Sequence, residues 1–221
     1  MTSTQSTPTY RLLYGPVMLG LRLLLHFLAP RWRVSGRRHI PHSGAFILAP
    51  NHISDVDPPV LGASVLRPLW YMAKRELFEI KGLGKWIGFC QSFSVDPGGT
   101  DRAALRRAEE LLKAGQPVVI FPEGRCSPNG ELDELSSGVA LIALRADVPV
   151  IPVGLHATNR IMPYGSLIPR PTLAAVRVHF GAPLLMDDLK DKPSREAREI
   201  FIERLTQRLQ EAIAVARAEQ I

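Results

Sequence analysis

Residues 45–60, Ala45-Phe46-Ile47-Leu48-Ala49-Pro50-Asn51-His52-Ile53-Ser54-Asp55-Val56-Asp57-Pro58-Pro59-Val60, read as a strand, a loop and the start of a helix. Ala45–Leu48 is an apolar run of strand length, closed by Pro50 and the polar Asn51-His52. Pro58 disfavours helical backbone at Asp57 and is itself well placed in a first helical turn. That makes Asp57 the expected N-cap of a helix over Pro59–Val65, with His52 on the loop leading into it. The same alternation continues downstream. Leu69–Met72, Phe93–Val95, Val118–Phe121, Val150–Leu155 and Ala175–Phe180 read as further strands. Ala103–Ala114, Gly138–Arg145 and Arg195–Ala218 read as helices, with Gly115 at an expected C-cap and Ser194 at an expected N-cap. The last helix carries Ile200, Phe201, Leu205, Leu209 and Ile213 on one stripe, which suits a lid over the core. Strands alternating with helices predict a layered α/β fold around a mixed, mostly parallel sheet. No internal repeat and no long linker is visible, and Pro169 and Pro171 mark a surface loop.

Composition narrows the class. A chain of 221 residues with 46% hydrophobic content has the length for one sizeable core and is neither disordered nor polytopic in character. The two cysteines, Cys90 and Cys126, lie far apart, which argues against a disulfide scaffold and favours a reducing compartment. The net charge of +6 is unevenly spread. Residues 1–54 hold Arg11, Arg22, Arg31, Arg33, Arg37 and Arg38 and no acidic residue, so the whole positive excess sits beside the most apolar stretch. A basic, leucine-rich leader suits an anionic membrane surface better than nucleic acid, which wants exposed aromatics or a binding motif.

Residues 1–9 are polar and expected to be mobile, and residues 10–29, YRLLYGPVMLGLRLLLHFLA, predict a helix. At about 100° per residue, Arg11, Gly15, Arg22, His26 and Arg33 fall on one stripe of its wheel, opposite a broad apolar face. Spanning a bilayer would bury Arg22 near mid-membrane at a cost of ~2.5–3.5 kcal/mol, which a helix lying in the interface avoids. Arg22 also interrupts the apolar core that a signal peptide needs. The expected division is a basic amphipathic membrane-association segment over 1–38 and a catalytic domain over 39–221.

Two segments carry chemistry. His52 has the near-neutral basicity to take a proton from a hydroxyl, and a carboxylate can fix its tautomer and stabilise its charged form. On a continuous helix, His52 and Asp57 would point about 140° apart; on a loop they can meet. By itself this segment reads equally well as a cap beside an ordinary loop histidine, and a metal site from His52, Asp55 and Asp57 is a third reading. The second segment is Phe121-Pro122-Glu123-Gly124-Arg125-Cys126-Ser127, at the end of an apolar strand, where ligand loops of α/β sheets gather. Glu123 can accept hydrogen bonds from substrate hydroxyls and Arg125 can clamp a phosphate; alone, the segment is also simply a charged turn.

In order along the chain stand Asn51-His52-x4-Asp57, Met72-Ala73-Lys74-Arg75-Glu76-Leu77, Phe121-Pro122-Glu123-Gly124 and Val148-Pro149-Val150-Ile151-Pro152-Val153. This ordered set, over about residues 40–180, resembles the glycerolipid acyltransferase family, whose best-known bacterial members are the lysophosphatidate acyltransferases. The resemblance implies an αβ core behind a membrane-binding helical element, with His52 as general base and Asp57 as its orienting partner. It implies that Glu123 and Gly124 help hold the acceptor, that the Val148–Val153 strand lines the site, and that a fatty acyl thioester on coenzyme A or acyl carrier protein is the donor. No cofactor and no metal is implied. The expected reaction is acylation of lysophosphatidate to phosphatidate by a peripheral protein on the cytoplasmic face of the cell membrane, with membrane lipids and the acyl carrier as partners and no nucleic acid. Two departures leave the acceptor open. Pro97 and Cys126 stand where the family carries arginines, so Arg125, Arg102 and Lys74 are the replacement candidates for a phosphate ligand. A different lysolipid, or an acceptor without a phosphomonoester, is the alternative within the family. A catalytically weak lipid-binding protein is the alternative outside it. Cys126 reads as a passive residue, since a His–Asp pair accounts for direct transfer.

Overall fold

The computed structural model describes residues 8–96, 101–166 and 168–218. Among the described residues seven strands form one sheet: β1 (Arg33–Ser35), β2 (Ile47–Pro50), β3 (Trp70–Lys74), β4 (Ser92–Val95), β5 (Val118–Val119), β6 (Val150–His156) and β7 (Arg177–Phe180). Their order across the sheet is β1-β7-β6-β2-β5-β3-β4. Strands β2 to β6 run parallel; β7 is antiparallel to β6 and carries β1 parallel to itself. The expected mixed, mostly parallel sheet is therefore present.

Alternation along the central strands sorts the core into two layers. Leu48, Val119, Ile151 and Val153 face one cluster, which contains Val60 and Leu61 of α2 (Asp57–Ser64) and Leu25 and Leu28 of α1 (Pro8–Leu28). Ile47, Ala49, Val118 and Val150 face the other, covered by α5 (Arg102–Lys113), α6 (Ser137–Ala146) and α7 (Ser194–Ala218). Helix α7 lies tightly on β6: a Cβ on Gly154 would sit 2.2 Å from the backbone oxygen of Ala212, so only glycine allows this approach. The predicted stripe holds in part, with Phe201, Leu205, Leu209 and Ile213 buried beneath α7.

Helix ends follow their local chemistry. Asp101 caps α5 by accepting from Ala103 and Ala104 N–H. At the other end, Gly115 N–H bonds to Leu112 C=O and Gln116 N–H to Leu111 C=O, the Schellman pattern expected at Gly115. Ser194 is the first helical residue of α7 and not its cap; the carbonyl of Pro193 accepts from Ala197 N–H and starts the ladder. Strand β1 and the short helices α3 (Arg75–Glu79) and α4 (Leu83–Phe89) lie outside the expected elements, each too short to show a period. The sheet thus begins at Arg33, inside the stretch 1–38 assigned to membrane association.

The basic stripe expected on the first helix is not formed as such. Arg33 belongs to β1, and the Arg11 side chain lies outside the described residues. Arg22 turns inward, its Nε donating to Ala63 C=O at 2.7 Å and a terminal nitrogen to Val65 C=O at 3.4 Å. Arg37 Nε donates to Ser64 C=O at 3.0 Å, so two guanidinium groups serve the carboxyl end of α2. Burial, and secondarily Arg22, pull the pKa of Arg37 down. What α1 turns outward instead is apolar: Leu19, Leu23 and Phe27, spaced four apart, with Leu24 beside them. Among the described residues no helix is long and apolar enough to cross a membrane.

Candidate active site

Parallel strands put their carboxyl ends on one edge of the sheet, and the loops after β2, β3 and β5 meet there. Asn51 is buried and its amide extends the β2–β6 ladder, accepting from Leu155 N–H at 2.7 Å and donating to Leu155 C=O at 3.1 Å. It anchors the residue next to His52. From there the chain turns about Asp57. One carboxylate oxygen, Oδ2, accepts from Ile53 N–H at 2.8 Å, Ser54 N–H at 2.9 Å and His52 Nδ1 at 2.9 Å. Ser54 adds a tie to Met162 C=O at 2.7 Å and accepts from Val56 N–H.

Asp57 is therefore not the N-cap of α2. Val56 holds that position without a side-chain bond, and the Asp57 carboxylate turns back to the preceding loop. The turn's two donors compete successfully with the helix amides, because they lie on the same side as His52. The carboxylate is wholly buried, and the His52 side chain keeps 15% of its surface open. With Nδ1 committed to Asp57, Nε2 is the nitrogen left to face a substrate. The His52 ring stacks on Phe121, centroids 4.0 Å apart at 29°.

Glu123 is buried beneath this loop. Its Oε1 accepts from His52 N–H at 2.7 Å and its Oε2 from Asp133 N–H at 2.9 Å. Both oxygens thus clamp backbone, where the sequence led us to expect contact with substrate hydroxyls. Burial raises its pKa first of all, and the two backbone donors oppose the rise. Gly124 makes the turn beyond, at φ +68, with its N–H on Phe121 C=O at 3.1 Å. A further pin, Ser127 N–H to His52 C=O at 2.7 Å, fixes the end of the loop against the histidine. Asn51 and Phe121 hold the base although the sequence assigned neither a role; Asn51 adjoins His52, and Phe121 opens the segment that carries Glu123.

The three phosphate-ligand candidates are placed differently. Arg125 is exposed and paired with Asp133. Arg102 is exposed at the start of α5, and the helix amides that were expected to assist it are already taken by Asp101. Lys74 ends β3, and its charge is felt at Cys126; it has no ion pair among the described residues. Pro97 and the turn 98–100 lie outside the described residues. Cys126 lies in the site itself: a His52 ring nitrogen, an Asp55 carboxylate oxygen and Cys126 Sγ all fall within 4.8 Å of one another. Asp57 is not part of that triad. Burial, then the charges of Asp57, Asp55 and Glu123, push the Cys126 thiol up to about 12, so it is no ready nucleophile.

A buried carboxylate fixing a partly exposed histidine, at the mouth of a parallel sheet, is equipment for drawing a proton from a hydroxyl. The family described as acyltransferase matches residues 31–156, and the chain belongs to that family of enzymes. It is 28% identical to the 1-acyl-sn-glycerol-3-phosphate acyltransferase of Bacillus subtilis over 183 residues, which cover 81% of this chain and 86% of that protein. The enzyme of the same name from Streptococcus pneumoniae is 30% identical over 168 residues, 72% of this chain and 60% of that one. Among solved structures, the 1-acyl-sn-glycerophosphate acyltransferase PlsC of Thermotoga maritima superposes with a TM-score of 0.72 at 25% identity. That match covers 93% of this chain and 83% of the other.

Proposed function

We propose that this enzyme moves a fatty acyl chain from an acyl thioester, carried by coenzyme A or acyl carrier protein, to the free hydroxyl of lysophosphatidate. The observation that carries the reading is the His52–Asp57 contact of 2.9 Å, with the carboxylate buried and the ring reachable. Nε2 takes the hydroxyl proton as the acceptor oxygen attacks the thioester carbonyl. The C–O bond forms, the C–S bond breaks, and the departing thiolate takes the proton from the imidazolium that Asp57 has stabilised. The relatives' names support lysophosphatidate as acceptor. The outward leucines of α1 support work at a membrane surface, here the cytoplasmic face of the cell membrane, where anionic lipids hold the acceptor.

His52→Ala should lower turnover by about 10²–10⁴-fold, the usual worth of a positioned base, with little loss of stability. Asp57→Asn should lose most activity too, yet fold better than Asp57→Ala, because an amide oxygen can still accept from Ile53 and Ser54. Acceptor-dependent release of thiol from acyl-coenzyme A, measured over a panel of lysolipids, reads both the chemistry and the preferred acceptor. A His52→Ala protein keeping more than about a tenth of turnover would remove the base.

A further inference from the structure

Beside the proposed base stands a donor set that acyl transfer does not use. Asp55 and Cys126 bring a carboxylate and a thiol to the histidine ring, all within 4.8 Å. In a tetrahedral zinc sphere, with bonds of about 2.0–2.3 Å, donor atoms lie about 3.3–3.7 Å apart. The observed donor atoms lie within 4.8 Å of one another and would have to draw in by up to about 1–1.5 Å to reach that geometry; Asp55 is exposed. The backbones beneath are already fixed. Ser127 N–H on His52 C=O binds the Cys126 loop to the histidine, and Asp57 Oδ2 holds the turn that carries Asp55. Nδ1 is bound to Asp57, so Nε2 is the nitrogen offered to a cation; a carboxylate on the opposite ring nitrogen is the usual support of a metal-bound histidine. The surrounding charge favours a cation as well. Asp55, Asp57 and Glu123 all act on Cys126, opposed by Lys74.

We propose that His52, Asp55 and Cys126 bind zinc(II), and that an occupied site switches acyl transfer off. Thiolate, imidazole and carboxylate together select a borderline-soft divalent ion over magnesium or calcium. Binding releases the thiol proton to solvent and occupies the Nε2 lone pair, so the histidine cannot accept a proton from a hydroxyl. Inhibition rests on His52 being the base; binding does not, and a spectroscopic probe separates the two.

The test uses the full chain in detergent, stripped of metal by a chelator that is then dialysed away. Cobalt(II) serves as the visible probe and zinc(II) as the inhibitor, with product followed through a labelled acyl chain. Wild-type protein should take up one cobalt with a near-ultraviolet thiolate-to-metal charge-transfer band, which added zinc displaces. Cys126→Ser should lose the band, and its inhibition, measured against its own zinc-free rate, should need at least about tenfold more zinc. Asp55→Asn should keep the band but also need more zinc. Absence of the band in wild-type protein overturns the site. Equal zinc sensitivity in wild type and Cys126→Ser does the same. A band without inhibition overturns the switch; whether His52 is the base is read separately, from the turnover of His52→Ala in metal-free buffer.

Discussion

Glu123 shows how far one residue's part in a site depends on contacts that lie far off in sequence. Its place after an apolar strand was legible, and so was its membership of the site. Its partners were not, because His52 and Asp133 reach it only once the loops after β2 and β5 are folded together. The His52–Asp57 pair was legible for the opposite reason: His52 lies on the short loop that ends at Asp57, and Pro58, in the first turn of α2, marks where the helix starts. Even there the cap was misplaced, since nothing in the sequence says which amides Asp57 will meet first. Glu123→Gln tests the clamp. Glutamine offers one acceptor oxygen for two N–H donors, so His52 or Asp133 is left with a buried amide facing an NH2 group. The expected loss is about 1–3 kcal/mol of stability. Turnover should fall through a loosened histidine loop, with the acceptor KM close to wild type. A melting temperature and a turnover number both equal to wild type would show that the clamp is dispensable.

At the scale of elements, the long helices and strands β2 to β7 were read correctly, while β1, α3 and α4 were not expected. Helices α5, α6 and α7 fall within a residue or two of expectation, because each repeats its apolar face over several turns. Helix α1 was read correctly as a helix, yet its polarity was read from the wheel alone. Arg22 had a better partner than lipid: the unpaired carbonyls at the end of α2. The outward face is carried by Leu23 and Phe27, 64% and 73% exposed. On the proposed reading of α1 as a membrane anchor, binding would depend on apolar insertion more than on charge. Leu23→Glu with Phe27→Glu should leave the melting temperature unchanged and lower co-sedimentation with anionic vesicles by at least about tenfold, since each large apolar side chain contributes about 1.5–3 kcal/mol when buried. Unchanged sedimentation of the double variant would place the membrane contact elsewhere.

The whole molecule decides which cation can meet the acceptor's phosphate, and here sequence distance misleads most. Arg125 lies next to Cys126 in the chain and was the natural first choice. In the folded protein it is exposed and held by Asp133, while Arg102 stands at a helix end whose amides Asp101 has taken. Lys74 looked more remote, on a strand that follows β2 in sequence. The sheet order inserts β5 between β2 and β3, so β3 ends beside the loop that carries Glu123 and Cys126, and the Lys74 charge reaches the site. No reading of periods supplies that order, because a parallel sheet is joined by crossovers that fix neighbours only in three dimensions. A phosphomonoester bound near a developing oxyanion needs a fixed positive charge, and a lysine supplies it as a point charge without the bidentate fork. Lys74→Ala should therefore lower kcat/KM for lysophosphatidate by about 1.5–3 kcal/mol, the scale of a charge-assisted hydrogen bond, mainly through KM. Arg125→Ala and Arg102→Ala should each cost less, and an acceptor lacking the phosphomonoester should respond to none of the three. If Arg125→Ala alone raises KM for lysophosphatidate, the Arg125–Asp133 pair opens on binding and Lys74 is a bystander. If all three variants act like wild type on every acceptor, the phosphate is held elsewhere or the acceptor has none, and an acceptor without a phosphomonoester becomes the better reading of the same fold.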